Sequence, residues 1–258
     1  MFRFKRARER LKQTRGLGAK VTLVLRWLNK QLGRLFYDGV LREGSRMRSI
    51  YAELLWNRAY AQKFIDECMS GLGTDSLVLD AGCGVGRIPA AFSTLGKPIV
   101  GVDIVQHDFW HKVGRTASFV VSDVAAMPFR NSALGICLCN CVLEETEDDE
   151  LTLQEIQRVL WSHGNLLIKV PNKGNLKTRL TGKMLYAKHL REYEKGEITR
   201  LLEGAGFIIK SIRVTGFYSP ILTHFINTLI SPQTWLSMGE LLPEKYRGVI
   251  TIICEKAT

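Results

Sequence analysis

A chain of 258 residues with 46% apolar and 24% charged residues is too apolar to stay disordered, and six cysteines are too few for a disulfide-dense secreted module. No run of about 18 unbroken apolar residues occurs, which argues against a standard membrane-spanning helix. The formal charge of +11 is uneven: residues 1–48 hold 14 Lys/Arg against 3 Asp/Glu, and the remainder is neutral. That extension is expected to meet an anionic partner, membrane lipid or nucleic acid.

In chain order, the basic stretch 2–15 leads into residues 17–36, where Leu17, Val21, Val24, Leu28, Leu32 and Leu35 recur at steps of three and four. This spacing predicts an amphipathic helix with Arg26, Lys30 and Arg34 on the opposite face. Such a helix either lies in a membrane interface or packs on the body and shows a solvated basic face. A second helix is expected over 49–69, with Ser49 as cap and Gly71 and Gly73 as its end. The chain therefore divides into a basic amphipathic helical extension, 1–48, and a main domain, 49–258.

From residue 77 short apolar runs alternate with helical segments. Strands are predicted at 77–80, 98–103, 118–121, 134–139 and 164–170, with helices at 85–95 and 148–161. The alternation implies a parallel α/β sheet covered on both faces. Cys137, Cys139 and Cys141 alternate along the fourth strand and are expected to share one side of it as reduced thiols. No second pair of soft ligands has matching spacing, so no metal site is expected. A helix at 194–206 and strands at 207–214 and 248–256 complete the pattern. Residues 214–239 carry no Lys, Arg, Asp or Glu, and Pro220 and Pro232 break them, which makes an apolar insertion at about 215–245 that caps a pocket, touches a bilayer or packs as core.

The chemistry-bearing signal is LVLDAGCGVGR, residues 77–87. A buried strand ends at Asp80, three glycines follow at alternate positions (82, 84 and 86), and a helix opens. Glycines at such a turn let a ligand approach the backbone closely. A dinucleotide fingerprint has G-x-G-x-x-G, a different spacing. Asp103 closes the second strand, where an acid is placed to accept ribose hydroxyls. Asp123 follows the third strand and is placed to meet an adenine amino group, with the backbone of Val124 as donor. Acids ending three successive strands would line the carboxyl edge of the sheet, where open α/β folds bind ligands.

LDAGCGVGR, GVDI, VVSDVAAMPF, CNCVLEE and EIQRVLWSHGNLLIKVPN together resemble the class I S-adenosylmethionine-dependent methyltransferases of the small-molecule "type 11" group. HLREYEKGEITRLLEGAGF extends the likeness to residue 207. The resemblance implies a Rossmann-like seven-stranded sheet in order 3-2-1-4-5-7-6, its last strand antiparallel, flanked by helices. It also implies S-adenosyl-L-methionine as cofactor. Asp80, Ala81, Gly82, Cys83 and Gly84 would surround its methionine part, with Asn140 at the tip of strand four. Asp103 and Ile104 would hold the ribose and flank the adenine, and Asp123 and Val124 would meet the adenine edge. The family often has His after the Leu-Glu of strand four; here Glu145 stands there.

Methyl transfer needs mainly an in-line approach, and a base only where the nucleophile must lose a proton. Glu144, His189 and Tyr193 are candidates for that base, each with an ordinary structural alternative, and no catalytic residue is assigned. The expected activity is methyl transfer to a small-molecule or lipid-like acceptor by a cytoplasmic enzyme, with residues 1–36 on an anionic membrane at its inner face. An RNA methyltransferase using the basic arm on phosphate is one alternative. Against it, neither an Asn/Asp-Pro-Pro-Tyr signature nor a Pro-Cys nucleophile follows strand four. Others are a cofactor-binding protein without turnover, a nicotinamide oxidoreductase, and an organelle transit peptide in place of a membrane-binding start.

Overall fold

The computed structural model describes residues 76–113, 115–185, 188–216 and 239–258. The helices expected at 17–36 and 49–69, the boundary at residue 48 and most of the uncharged stretch lie outside the described residues. The elements in chain order are β1 (Val78–Ala81), α1 (Arg87–Thr94), β2 (Ile99–Asp103), β3 (Ala117–Val121), β4 (Leu134–Asn140), α2 (Asp149–Val159), β5 (Leu160–Pro171), α3 (Leu176–Thr181), α4 (Lys195–Gly204), β6 (Phe207–Thr215) and β7 (Val249–Lys256).

All seven strands form one sheet in the order β3-β2-β1-β4-β5-β7-β6. The first five pair in parallel, and β7 runs antiparallel to both β5 and β6. This is the expected architecture. Side-chain alternation feeds two layers. Leu79, Ala81, Cys137 and Cys139 enter one cluster with Leu153 and Ile156 of α2 and Ile198 and Leu202 of α4. Val78, Ile136 and Leu138 enter the other with Ile88 and Phe92 of α1. Burial of both faces explains why these strands read as continuous apolar runs.

The helix ends follow local chemistry. The Asp148 side chain accepts from the Leu151 N–H at 2.9 Å and caps α2, while Asp149 and Glu150 occupy its first turn, where the helix dipole favours acids. Glu194 and Glu197 make a reciprocal capping box at α4.

Three expectations are corrected. Helix α1 starts at Arg87 rather than residue 85, because Gly86 has a left-handed φ of 85° and still belongs to the turn. Helix α2 stops at Val159, since Leu160 is already extended and pairs with Leu134 in β5; a bulge then skips to Asn165, with His163 at φ 63°. Cys141 does not share the strand face of Cys137 and Cys139. It lies past the end of β4 at φ 57°, and its N–H bonds to the Lys169 carbonyl at 2.9 Å.

The described residues fall into two compact units. One contains the sheet with α1, α2 and α4. The other, described over 174–185, 216 and 239–248, contains α3, capped by the Asn175 side chain accepting from the Thr178 N–H at 2.9 Å. There the Tyr246 ring lies beneath the Arg179 guanidinium, 5.3 Å from its centroid. Among the described residues no helix is long and apolar enough to cross a membrane.

Candidate functional site

The carboxyl edge of β1 continues into the glycine turn. The N–H groups of Gly82 and Cys83 both donate to the Val102 carbonyl at 2.8 Å, which ties the turn to β2. Gly82 has φ 75°, and a Cβ there would lie 2.3 Å from Cγ2 of Val142. Gly82→Ala is therefore expected to lower the unfolding free energy by about 2 kcal/mol or more, from left-handed strain and overpacking together. Denaturant unfolding checks this, and adding Val142→Ala is expected to recover part of the loss.

A cavity of about 250 Å³ opens against this turn, lined by Asp80, Gly82, Cys83, Gly84, Arg87 and Asn140 among others. Asp80 is 1% exposed, and its Oδ2 has no hydrogen-bond partner among the described residues. Burial, reinforced by the nearby Asp103 charge, pushes its carboxyl up to about 8. A buried carboxylate with an open oxygen is costly unless a donor or cation meets it. Arg87 brings a cationic group to the same cavity; the motif reading does not single it out, although it closes LDAGCGVGR.

Asp103 serves the turn as well as the edge. Its Oδ2 accepts from the Gly84 N–H at 2.7 Å and its Oδ1 from the Val105 N–H at 3.0 Å. Ile104 beside it is 68% exposed. Of the candidate residues, Asp80, Gly82, Cys83, Gly84 and Asn140 line the cavity, whereas Ala81, Asp103, Ile104, Asp123 and Val124 do not. Asp123 Oδ1 accepts from the Ala125 N–H at 2.9 Å in a local turn, and its side chain is exposed. The loop is nonetheless tied to the β2 edge by the Ser122 N–H, which donates to the Asp103 carbonyl at 3.0 Å. Val124 turns its side chain into the core, as does Ala81. Asn140 reaches the cavity from the tip of β4.

A second cluster lies past that tip. Glu144, in a short turn over Leu143–Glu145, is fully buried, and its carboxylate is approached by its own backbone N–H and the Cys141 thiol without a well-formed hydrogen bond. His189 Nε2 stands 3.8 Å from Glu144 Oε1, and His189 Nδ1 stands 3.8 Å from Glu192 Oε1. Burial lifts the Glu144 carboxyl to about 7, and the imidazole opposes the rise. Tyr193 is held in a structural contact: its hydroxyl donates to Asp149 Oδ2 at 2.8 Å, and burial together with Asp149 raises its pKa. Burial also raises the Cys83, Cys137, Cys139 and Cys254 thiols, so none of the four is primed as a thiolate. Among the described residues no three His, Cys, Asp or Glu side chains converge on a metal position.

Comparison with known proteins agrees with the fold. Residues 79–168, spanning β1 to β5, match the family described as "Methyltransferase domain". A malonyl-[acyl-carrier protein] O-methyltransferase of Yersinia pestis is 27% identical over 105 residues, 40% of this chain and 39% of the relative. A protein of Mycolicibacterium smegmatis described as "Probable S-adenosylmethionine-dependent methyltransferase" is 27% identical over 135 residues, 52% of each chain. The chain thus spans well under two thirds of these curated relatives. Among solved structures, the Burkholderia thailandensis 1,6-didemethyltoxoflavin-N1-methyltransferase, with 1,6-didemethyltoxoflavin and S-adenosylhomocysteine bound, superposes with a TM-score of 0.55. It has 18% identity, and 89% of each chain is covered. Strand order, glycine turn and sequence match together identify residues 79–168 as a methyltransferase domain of the class I S-adenosylmethionine-dependent type.

Proposed function

We propose that this chain transfers a methyl group from S-adenosylmethionine to a small-molecule or lipid-like acceptor. The observation that carries the reading is Asp80: a buried carboxylate in a cavity, one oxygen open, beside a glycine turn. A zwitterionic amino-acid end fits there, with its ammonium on Asp80 and its carboxylate toward Arg87. The cavity of about 250 Å³ is smaller than the roughly 300–1,000 Å³ of pockets for drug-sized ligands, which suits the methionine portion. The adenosine portion then extends along Asp103 and the exposed Ile104 toward Asp123 and the Val124 backbone. Bound there, the cofactor supplies an electrophilic sulfonium methyl. The chain's own residues grip its two ends and hold its orientation, and the acceptor's approach is the remaining requirement.

The finer reading is an acceptor met at a membrane, by an enzyme of the cytoplasm bound to the inner membrane face. Its support is the +11 of residues 1–48 together with the apolar stripe over 17–36, which a simple phosphate-binding arm would not need. Two measurements test the proposal. Incubation with labelled S-adenosylmethionine and extracted metabolites and lipids is expected to label a small or lipid product that Asp80→Ala does not make; label appearing only in RNA would favour nucleic acid instead. Flotation with anionic vesicles is expected to retain the full chain and to lose it when residues 1–36 are removed. Unchanged flotation would remove the membrane part of the reading and leave the methyl transfer standing.

A further inference from the structure

One side chain outside the motifs is built into the glycine turn. Trp110 opens a short turn over Trp110–Lys112, between β2 and β3, and is 9% exposed. Its indole Nε1–H donates to the Gly84 carbonyl at 2.8 Å. Its ring stacks on Phe119 of β3, with centroids 4.7 Å apart and planes 11° from parallel. A Cβ on Gly86 would come within 3.0 Å of Phe119 and 3.2 Å of Trp110, so this aromatic pair fills the space behind the turn.

Gly84 itself has nothing within 4 Å of where a Cβ would stand. Packing on that side therefore does not fix it. Its main chain is held from both ends by side chains at and beyond the end of β2: the N–H by Asp103 at 2.7 Å and the carbonyl by Trp110 at 2.8 Å. Beside the indole, only the Cys83 thiol among the described residues approaches that carbonyl, at 3.8 Å, and the Gly86 N–H closes the turn on the Cys83 carbonyl at 3.0 Å; losing the indole bond therefore loosens the Gly84–Val85 peptide, which forms part of the cavity wall.

We propose that Trp110 is a positioning residue of the cofactor site, its indole N–H holding the Gly84 carbonyl so that the turn keeps the shape the ligand needs. This rests on the reading that the cavity holds the methionine part of S-adenosylmethionine. Trp110 acts through Gly84 and has no contact of its own to make with the reacting atoms. Trp110→Phe keeps a ring to stack on Phe119, removes the donor and gives up the smaller part of the indole's volume.

The test is calorimetric titration of S-adenosylhomocysteine into wild-type protein and Trp110→Phe, with thermal unfolding of each ligand-free form. The expected result is a dissociation constant raised roughly ten-fold, the scale of one lost hydrogen bond. The unfolding temperature is expected to fall by a few degrees, from the smaller ring and the unmet carbonyl, and the comparison of dissociation constants carries the test. A variant that binds as tightly as wild type, with or without a lower unfolding temperature, overturns the inference and leaves the proposed function intact. Absence of binding by wild type overturns both. Should Trp110→Phe not fold, hydrogen exchange of the Trp110 indole N–H in ¹⁵N-labelled wild type decides the matter: exchange slowed roughly ten-fold by saturating S-adenosylhomocysteine is expected, and unaltered exchange overturns the inference.

Discussion

Asp80→Asn is expected to weaken binding of S-adenosylhomocysteine roughly a hundred-fold or more while making the ligand-free protein more stable near pH 8. The first effect follows from removing one member of a buried charge pair formed on binding, a change that costs about 2–5 kcal/mol. The second follows from linkage. In the folded chain Asp80 titrates at about 8 rather than at its ordinary 3.8. Between those values the folded state holds a proton that the unfolded state has lost, so this group lowers stability as pH rises from about 4 to 8. Asn has no charge to suppress. Chemical unfolding of ligand-free wild type and variant at pH 5 and pH 8 checks the sign: the variant ahead by roughly 1–2 kcal/mol at the lower pH, and by on the order of a few kcal/mol more at the higher. A variant less stable than wild type at both values would show that Asp80 is held by the fold for its own sake.

The second large effect is expected at the buried cluster past β4. His189→Ala removes the imidazole standing 3.8 Å from both Glu144 and Glu192, which are 0% and 6% exposed. The buried Glu144 carboxyl then loses the imidazole beside it. Leaving a buried polar group without a neighbouring partner typically costs about 1–3 kcal/mol. The loss should deepen as pH rises toward and past 7, because the Glu144 carboxyl, already lifted to about 7 by burial, loses one of the groups that favour its ionised form. Glu144→Gln in the same background is expected to restore part of the stability above pH 7. Urea unfolding at pH 6 and 8 measures both; a loss below about 1 kcal/mol that is independent of pH would show that the histidine carries little of the cluster.

The centre of the sheet was legible in the sequence because β1 and β4 are buried on both faces. Runs such as LVLD and GNLLIKV are bounded by glycines and acids, and nothing local competes with an extended reading. What escaped was set by contacts between distant residues or by single backbone angles. Leu160 and Trp161 extend the helical pattern of α2, yet the pairing of Leu160 with Leu134 pulls them into β5. The alternation of Cys137, Cys139 and Cys141 breaks at one left-handed residue. Asp123 sits in a Ser-Asp loop whose local turn satisfies one of its oxygens, and that turn signal was available. Trp110 lies 26 residues from Gly84, and only the β1–β2 pairing brings them together; a lone Trp in the polar loop HDFWHK was the trace it left. Glu144 and His189 meet only because the chain returns past the tip of β4 before α4.

If the open oxygen of Asp80 and the turn held by Asp103 grip an adenosyl amino acid, as proposed, a crystal structure of the chain with S-adenosylhomocysteine shows it most directly. The ligand ammonium is expected within about 3 Å of Asp80 Oδ2, the ribose at Asp103 and the adenine beside Ile104. A ligand seated elsewhere, with Asp80 Oδ2 still unmet, would contradict that grip.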